Sequence, residues 1–367
     1  MLEARTDVVG SLLRPPELLE ARKRRDRGEL TQAELERIED AAVDDALRLQ
    51  EDAGLDVVTD GEMRRLSFQS QLVEAVEGFG DWGLDAFLWG EWHSDELGDM
   101  TVERPSLAVE SKLRRKRFLS AEEFLYARGR TERVLKVTLP SPSMFANFYD
   151  PDRSSGAYAS LEEFLGDVAE ILREEVDELV RMGATYLQLD APHYPLLLDP
   201  AYRDFYESRG WAAERWLDLG LELDNLVVGD HPGVTFGFHL CRGNQASRWL
   251  VEGGYDWLAE RLFPRVKAHR LLLEFDDPRS GSFEPLRAVP DGKIVVLGLV
   301  TTKSGRRETV EGLAARIEEA SRFCPLERLA LSPQCGFATS ILGNALSVDD
   351  QRAKLGTIVE TAAVVWG

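Results

Sequence analysis

The chain has 367 residues, a net charge of −21 and three cysteines. That acidity opposes general nucleic-acid binding, which needs a cationic surface, and three cysteines do not make a disulfide framework. No apolar run reaches bilayer-spanning length and residues 1–7 lack a signal-peptide core, so a reducing cytoplasm and no membrane partner are expected.

Thr6-Asp7-Val8-Val9 reads as a first strand leading into Gly10-Ser11. Thr31, with Glu34 three residues later, is a capping-box start. The helix is expected to run to Ala53 with Ala42, Ala46 and Leu49 on one face, and Gly54 ends it. Asp56-Val57-Val58-Thr59 is the second strand and runs into Asp60-Gly61-Glu62. Residues 81–130 then break the pattern: they carry Trp82, Trp89, Trp92, several glycines and no long helical period. They are expected to be an excursion inserted after the second strand, with hairpins over the mouth of the fold. Their basic run, residues 112–117, reads as a solvated loop or hairpin face; the sharper reading is a patch for an anionic substrate tail or a partner subunit.

Further strands are expected at 133–138, 185–189, 234–238, 270–273, 294–297 and 329–332, with helices at 161–182, 245–262, 308–323 and 349–365. Short apolar strands alternating with amphipathic helices predict a parallel sheet covered by helices. Eight such units predict an α/β fold of the (β/α)8 TIM-barrel type, one domain over residues 1–367; a doubly wound open sheet is the alternative.

The reactive residues fall at strand ends, where such barrels place their active sites. His239 and Cys241 end the fifth strand, Glu274 the sixth, and Cys335 follows the eighth. Residues two apart on a strand point the same way, so His239 and Cys241 can grip one ion. Alone, that pair reads more simply as a core cysteine beside a half-buried histidine. With Glu274 and Cys335 at equivalent strand ends, the set suits one Zn²⁺. Cys324 has no partner in the sequence and reads as a structural thiol. Glu62 and Asp190 also sit on the rim, where the plainer reading is a helix cap. His193 faces the rim as an acid/base or substrate contact, against the simpler reading of a supporting histidine. His231 and His269 read as structural, and His93 lies in the excursion.

With these residues in view, the chain resembles the catalytic-domain family of cobalamin-independent methionine synthase. The resemblance is carried by residues 54–62 (Gly-Leu-Asp-Val-Val-Thr-Asp-Gly-Glu), 188–192 (Gln-Leu-Asp-Ala-Pro), 239–244 (His-Leu-Cys-Arg-Gly-Asn) and 333–336 (Pro-Gln-Cys-Gly), and extends from Val9 to Gly336. It implies a (β/α)8 barrel, zinc ligands at His239, Cys241, Glu274 and Cys335, and a homocysteine site at the Gly10-Ser11 backbone, Glu62 and Asp190. The chemistry agrees: a carboxylate pairs with a substrate ammonium, backbone amides hold a carboxylate, and a metal turns a thiol into a thiolate.

Three departures from the family pattern stand out. Full-length folate-dependent synthases carry two similar barrels and this chain corresponds to the second, so much of a folate-polyglutamate groove is not expected. The family's Asn-Trp pair after the third strand is Asn147-Phe148 here, which keeps an aromatic plate without the indole. The Asp-x-His acid after the seventh strand is absent; residues 300–304 read Val-Thr-Thr-Lys-Ser, so either Lys303 donates the proton or the donor needs none. The expected function is therefore zinc-dependent methyl transfer to the thiol of homocysteine, forming methionine. The partners are a small-molecule thiol and a methyl donor, methyl-folate or a corrinoid. The alternative is zinc-dependent alkyl transfer to another thiol, coenzyme M-like, or from a non-folate donor. A non-catalytic barrel with structural zinc would leave Glu62 and Asp190 unexplained.

Overall fold

A computed structural model describes residues 2–208 and 211–367. Its strands are β1 (Val57–Val58), β2 (Val76–Glu77), β3 (Gly90–Trp92), β4 (Met100–Val102), β5 (Arg114–Arg115), β6 (Val134–Pro140), β7 (Tyr186–Asp190), β8 (Thr235–Leu240), β9 (Arg270–Glu274), β10 (Ile294–Val300) and β11 (Leu329–Pro333). Seven of them form one curled parallel sheet in the order β1-β6-β7-β8-β9-β10-β11. The strands are buried throughout most of their length because helices cover the outer face, as a parallel sheet requires.

The expected first strand closes the TIM-type barrel without extended pairing. Thr6 makes one parallel bridge to Leu331, with Asp7 N–H donating to Leu331 O and Leu331 N–H to Arg5 O, both at 2.9 Å. On its other side the link is through side chains. The Asp56 carboxylate accepts from the N–H groups of Arg5 and Thr6 at 2.9 and 3.0 Å, and Thr6 Oγ1 accepts from Asp56 N–H at 2.8 Å. Inside the barrel, Lys136 Nζ donates to Asp7 Oδ1 at 2.9 Å and Gln188 Oε1 at 2.7 Å, while Tyr186 donates to Asp7 Oδ2 at 2.7 Å. This buried ionic layer supports the floor on which the site is built; its members are hydrogen-bonded, as buried charges must be.

The helix Gln32–Ala53 has the expected capping box at Thr31 and Glu34, and stops where Gly54 takes φ 89°. Leu161–Arg181, Val310–Ser321 and Val348–Trp366 also fall where helices were expected, each capped by a Ser or Thr side chain. The expected helix over 245–262 is largely wrong: only Asp256–Leu262 is helical. Ala246 and Ser247 adopt φ 47° and 62°, and Gly253 adopts φ 126°. A right-handed helix cannot pass through such residues. The freed segment is pinned instead to the C-terminal loop, with Ser247 N–H donating to Asn344 Oδ1 at 2.7 Å.

Within residues 81–130, β3 and β4 form an antiparallel pair, and β5 pairs with β2. The stretch also contains a helix, Leu119–Ala127, that its sequence pattern did not announce. Four of the five cations of the basic run are ion-paired: Lys112 with Glu163, Arg114 with Glu77, Arg115 with Glu174 and Glu175, and Arg117 with Glu122. The fifth cation of the run, Lys116, is exposed. No helix among the described residues is long and apolar enough to cross a membrane.

Candidate functional site

His239 lies near the end of β8, Cys241 one residue beyond it, and Cys335 two residues beyond β11. Parallel strands of one barrel end on one rim, so these distant residues converge. One ligand atom from each lies within 4.8 Å of the other two, and all three side chains are buried. Gly336 enforces the approach of the Cys335 turn to the N-terminal loop: a Cβ there would stand 2.1 Å from Ser11 Oγ. Asn244 Nδ2 donates to Gly336 O at 2.8 Å and to Thr302 Oγ1 at 2.9 Å, tying the β8 and β11 loops together.

The electrostatics of the trio are those of a thiolate-imidazole cluster. A hydrogen bond from Cys241 holds the Cys335 thiol well below its ordinary range, with burial opposing and His239 assisting. The same contact, together with burial, pushes the Cys241 thiol up. Burial alone would lower His239, but the facing Cys335 sulfur outweighs it and raises the imidazole. Neither ring nitrogen of His239 has a nitrogen or oxygen hydrogen-bond partner, although both are buried. A buried imidazole without such partners, facing two sulfurs, is a donor set that fits a thiophilic divalent ion.

Glu274 ends β9 beside this trio but is not one of the three clustered residues. Its Oε1 accepts from Lys303 Nζ at 3.0 Å and its Oε2 from Arg242 N–H at 2.8 Å. Burial would raise the carboxyl, but the charges of Lys303 and Arg242 win and lower it. Each oxygen keeps a second lone pair, so these bonds hold Glu274 in place without barring it from a metal. Lys303, read from the sequence as a proton donor, is ion-paired with Glu274 and stands 3.8 Å from Asp276 Oδ2. The ion pair sets Lys303 directly against Glu274, where its charge holds that carboxylate.

A cavity of about 120 Å³ opens above the trio, with His239, Cys241 and Cys335 in its lining. Gly10, Ser11, Glu62, Asp190, Asn147, Phe148 and His193 line it too. Glu62 is buried and adopts φ 54°, a left-handed conformation that is costly for a residue with a side chain and is found chiefly at functional sites. Thr138 donates to its Oε1 at 2.8 Å, and Arg65 donates to Thr138 at 2.8 Å. Its Oε2 is buried without a partner. Burial raises the Glu62 carboxyl, against the pull of Arg65 and Thr138. Gly10 must be glycine here, since a Cβ would sit 2.4 Å from Glu62 Oε1. Asp190 Oδ1 accepts from Gln188 Nε2 at 2.7 Å; burial pushes its carboxyl up to about 7, with the His239 charge opposing.

The remaining expected residues are less free. Asn147 Nδ2 donates to Ala86 O at 2.9 Å and its Oδ1 accepts from Arg104, so its amide ties residues 86 and 104 to the barrel. Phe148 packs edge-on against Phe79 at 5.1 Å. His193 Nε2 lies 2.7 Å from Ser143 Oγ, and burial lowers its imidazole to about 3, which leaves it neutral. Sequence reasoning missed Phe87, Trp89 and Trp92 as cavity wall, although their crowding in one aperiodic stretch was the available signal. It also missed Gln245, because the expected helix began there, and read Asn244 only as part of the 239–244 motif.

Residues 4–363 match the family described as cobalamin-independent synthase, catalytic domain. The chain is 35% identical to an uncharacterised Bacillus subtilis protein, YxjH, over 99% of this chain and 94% of that one. It is 29% identical to a methionine synthase of Pyrococcus abyssi, over 90% of this chain and 85% of that one. Among solved structures, a putative vitamin-B12-independent methionine synthase of Listeria monocytogenes superposes with a TM-score of 0.73 at 27% identity, covering 100% of this chain and 98% of that one. The chain therefore belongs to the cobalamin-independent methionine synthase catalytic-domain family.

Proposed function

We propose that this protein is a zinc-dependent methyltransferase that methylates the thiol of homocysteine to form methionine. The observation that carries the reading is the coincidence, in one cavity, of the His239–Cys241–Cys335 trio with the unpartnered Glu62 Oε2. His239, Cys241 and Cys335 would hold the zinc, with Glu274 as the fourth ligand. When bound, zinc supplies the Lewis acidity that ionises a thiol at neutral pH. The chain's own residues do the rest. Glu62 receives the substrate ammonium through Oε2, with Asp190 as the second carboxylate. The Gly10-Ser11 backbone takes the substrate carboxylate. These contacts fix the sulfur end of homocysteine toward the trio, and orientation of this kind is a large part of catalysis. Phe87, Trp89 and Trp92 exclude water from the methyl donor.

The family's relatives named methionine synthase support the reaction class. The test is to load purified protein with zinc, incubate it with homocysteine and a panel of methyl donors, and follow methionine by mass spectrometry. Methionine formation that disappears on metal removal and returns with zinc is the expected result. Methylation of other thiols, with homocysteine untouched, would replace this reading by alkyl transfer to a different acceptor.

A further inference from the structure

The wall of the cavity above the trio is aromatic. Phe87, Trp89, Trp92, Phe148, Tyr202 and Tyr206 line it. Among the described residues no lysine or arginine lines it, and its two carboxyls are those of Glu62 and Asp190. His193 adds no charge, since burial lowers its imidazole to about 3. The cations near these residues are engaged elsewhere. Arg65 donates to Glu123 Oε2 and to Thr138 Oγ1, both at 2.8 Å. Arg104 donates to Asn147 Oδ1 at 2.5 Å and lies over the Phe205 ring at 5.5 Å.

The β3–β4 hairpin holds much of this wall in place. Trp89, Trp92, Met100 and Val102 pack with Leu196, Tyr202, Leu250 and Val251 in a hydrophobic cluster of their own. Gly90 allows the hairpin to press on the barrel loop: a Cβ there would stand 2.2 Å from Tyr202 Oη. The Trp89 ring then lies 5.6 Å from that of Tyr202, and Phe87 lies 5.9 Å from Phe148. Trp92 Nε1 donates to Leu88 O at 2.7 Å, so its polar atom is satisfied.

Aromatic faces carry negative potential and attract cations. An anionic donor would meet two carboxyls here and find no basic partner in the lining, which is costly for a buried charge. We propose that the aromatic wall binds the methyl donor as a sulfonium, a positively charged sulfur that bears the methyl group. The inference rests on the methyl-transfer reading above and names its donor class. In the step, the substrate thiolate sulfur forms a bond to the methyl carbon as the bond from that carbon to the sulfonium sulfur breaks. The electron pair of the broken bond stays on the donor sulfur, which departs as a neutral thioether. Thiolate and sulfonium thus become two thioethers, and the leaving group takes no proton. Opposite charges that disappear along the reaction do so most readily where water is excluded, and the apolar wall excludes it.

The experiment uses two probes of one shape on the zinc-loaded full chain: (2-hydroxyethyl)dimethylsulfonium and its uncharged isostere 3-methyl-1-butanol. By calorimetric titration the sulfonium is expected to bind about 10- to 30-fold more tightly. Trp89→Leu keeps the wall apolar and leaves both carboxyls, and it should bring that ratio below about threefold; Phe87→Leu should narrow it as well. Equal binding of the two probes by the wild type would overturn the inference, whether or not a variant folds. So would a preference that survives in both folded variants, since it would belong to the carboxyls. With homocysteine added, the sulfonium is expected to yield methionine and 2-(methylthio)ethanol in equal amounts. Binding without these products would overturn the donor assignment. Methionine from 5-methyltetrahydrofolate or methyl iodide, with none from the sulfonium, would overturn it and leave the methyl-transfer reading standing. Methionine from none of the three would remove both.

Discussion

Lys303 Nζ donates to Glu274 Oε1 at 3.0 Å, while the Arg242 N–H holds Oε2 at 2.8 Å. The carboxylate is thus fixed at the end of β9 from two sides, next to His239, Cys241 and Cys335. A ligand so held loses little freedom on binding a metal, and groups that orient ligands in this way contribute to affinity. The lysine charge also offsets some of the negative charge gathered by two thiols and a carboxylate.

Replacing Lys303 by Met keeps the length of the chain and removes its charge and donors. Zinc affinity, measured by competition with a chromophoric chelator, is expected to fall about 10- to 100-fold. Unchanged affinity would show that Glu274 is positioned without Lys303, or takes no part in holding the ion.

The two kinds of cysteine make a paired test. Cys335 belongs to the trio, whereas Cys324 is packed in the hydrophobic core beyond the end of the helix Val310–Ser321. Cys335→Ala should lose tightly bound zinc by elemental analysis. Cys324→Ala should keep it and lose about 1 kcal/mol of stability, a small-cavity effect. Zinc loss confined to the Cys324 variant would overturn the ligand assignment.

Much of this site was legible because barrel topology converts strand ends into a shared rim. His239, Cys241, Glu274 and Cys335 each follow an apolar run short enough to be recognised, and the fold brings all four to one end of the sheet. The ion pairs of Lys303 were not legible because its partners, Glu274 and Asp276, belong to the end of another strand and its loop, and no local pattern links them. The loop after Cys241 was misread as a helix because its polar composition hides the left-handed Ala246 and Ser247. The hydrogen bonds that run from His193 through Ser143 and Ser141 to Asp224 join residues up to 83 positions apart through hydroxyls, which carry no periodic signal.

Asp224, buried on the helix Ala213–Val228, yields a stability prediction. Burial pushes its carboxyl to about 7, against the hydrogen bonds of Ser141 and Tyr194. An unfolded chain holds an aspartate near its ordinary value of about 4, so between about pH 4 and pH 7 the folded protein binds this proton more tightly. The contribution is full below about pH 4 and is lost as the pH rises through about 7. Asp224→Asn has no such titration. In urea melts of metal-free protein, the stability of wild type minus variant should fall by about 2–4 kcal/mol between pH 4 and pH 8. A difference independent of pH would show that Asp224 is ionised throughout.

The amino-acid end of the pocket rests on Glu62. Thr138 occupies Oε1 at 2.8 Å, and Oε2 is left without a partner in a buried wall that Asp190 shares. Glu62→Gln keeps the shape and can keep the Thr138 bond through its oxygen, but it turns an amide NH₂ toward the cavity. An ammonium then meets donors in place of an acceptor. Loss of a charge-assisted hydrogen bond costs about 1.5–3 kcal/mol, so homocysteine affinity should fall about 10- to 100-fold. Propanethiol, which has no ammonium, should bind as before, and zinc content should not change. Calorimetric titration of both thiols into wild type and variant measures this. Equal weakening of both thiols would place the effect on the metal rather than on the ammonium, and intact homocysteine binding would move the amino-acid site away from Glu62.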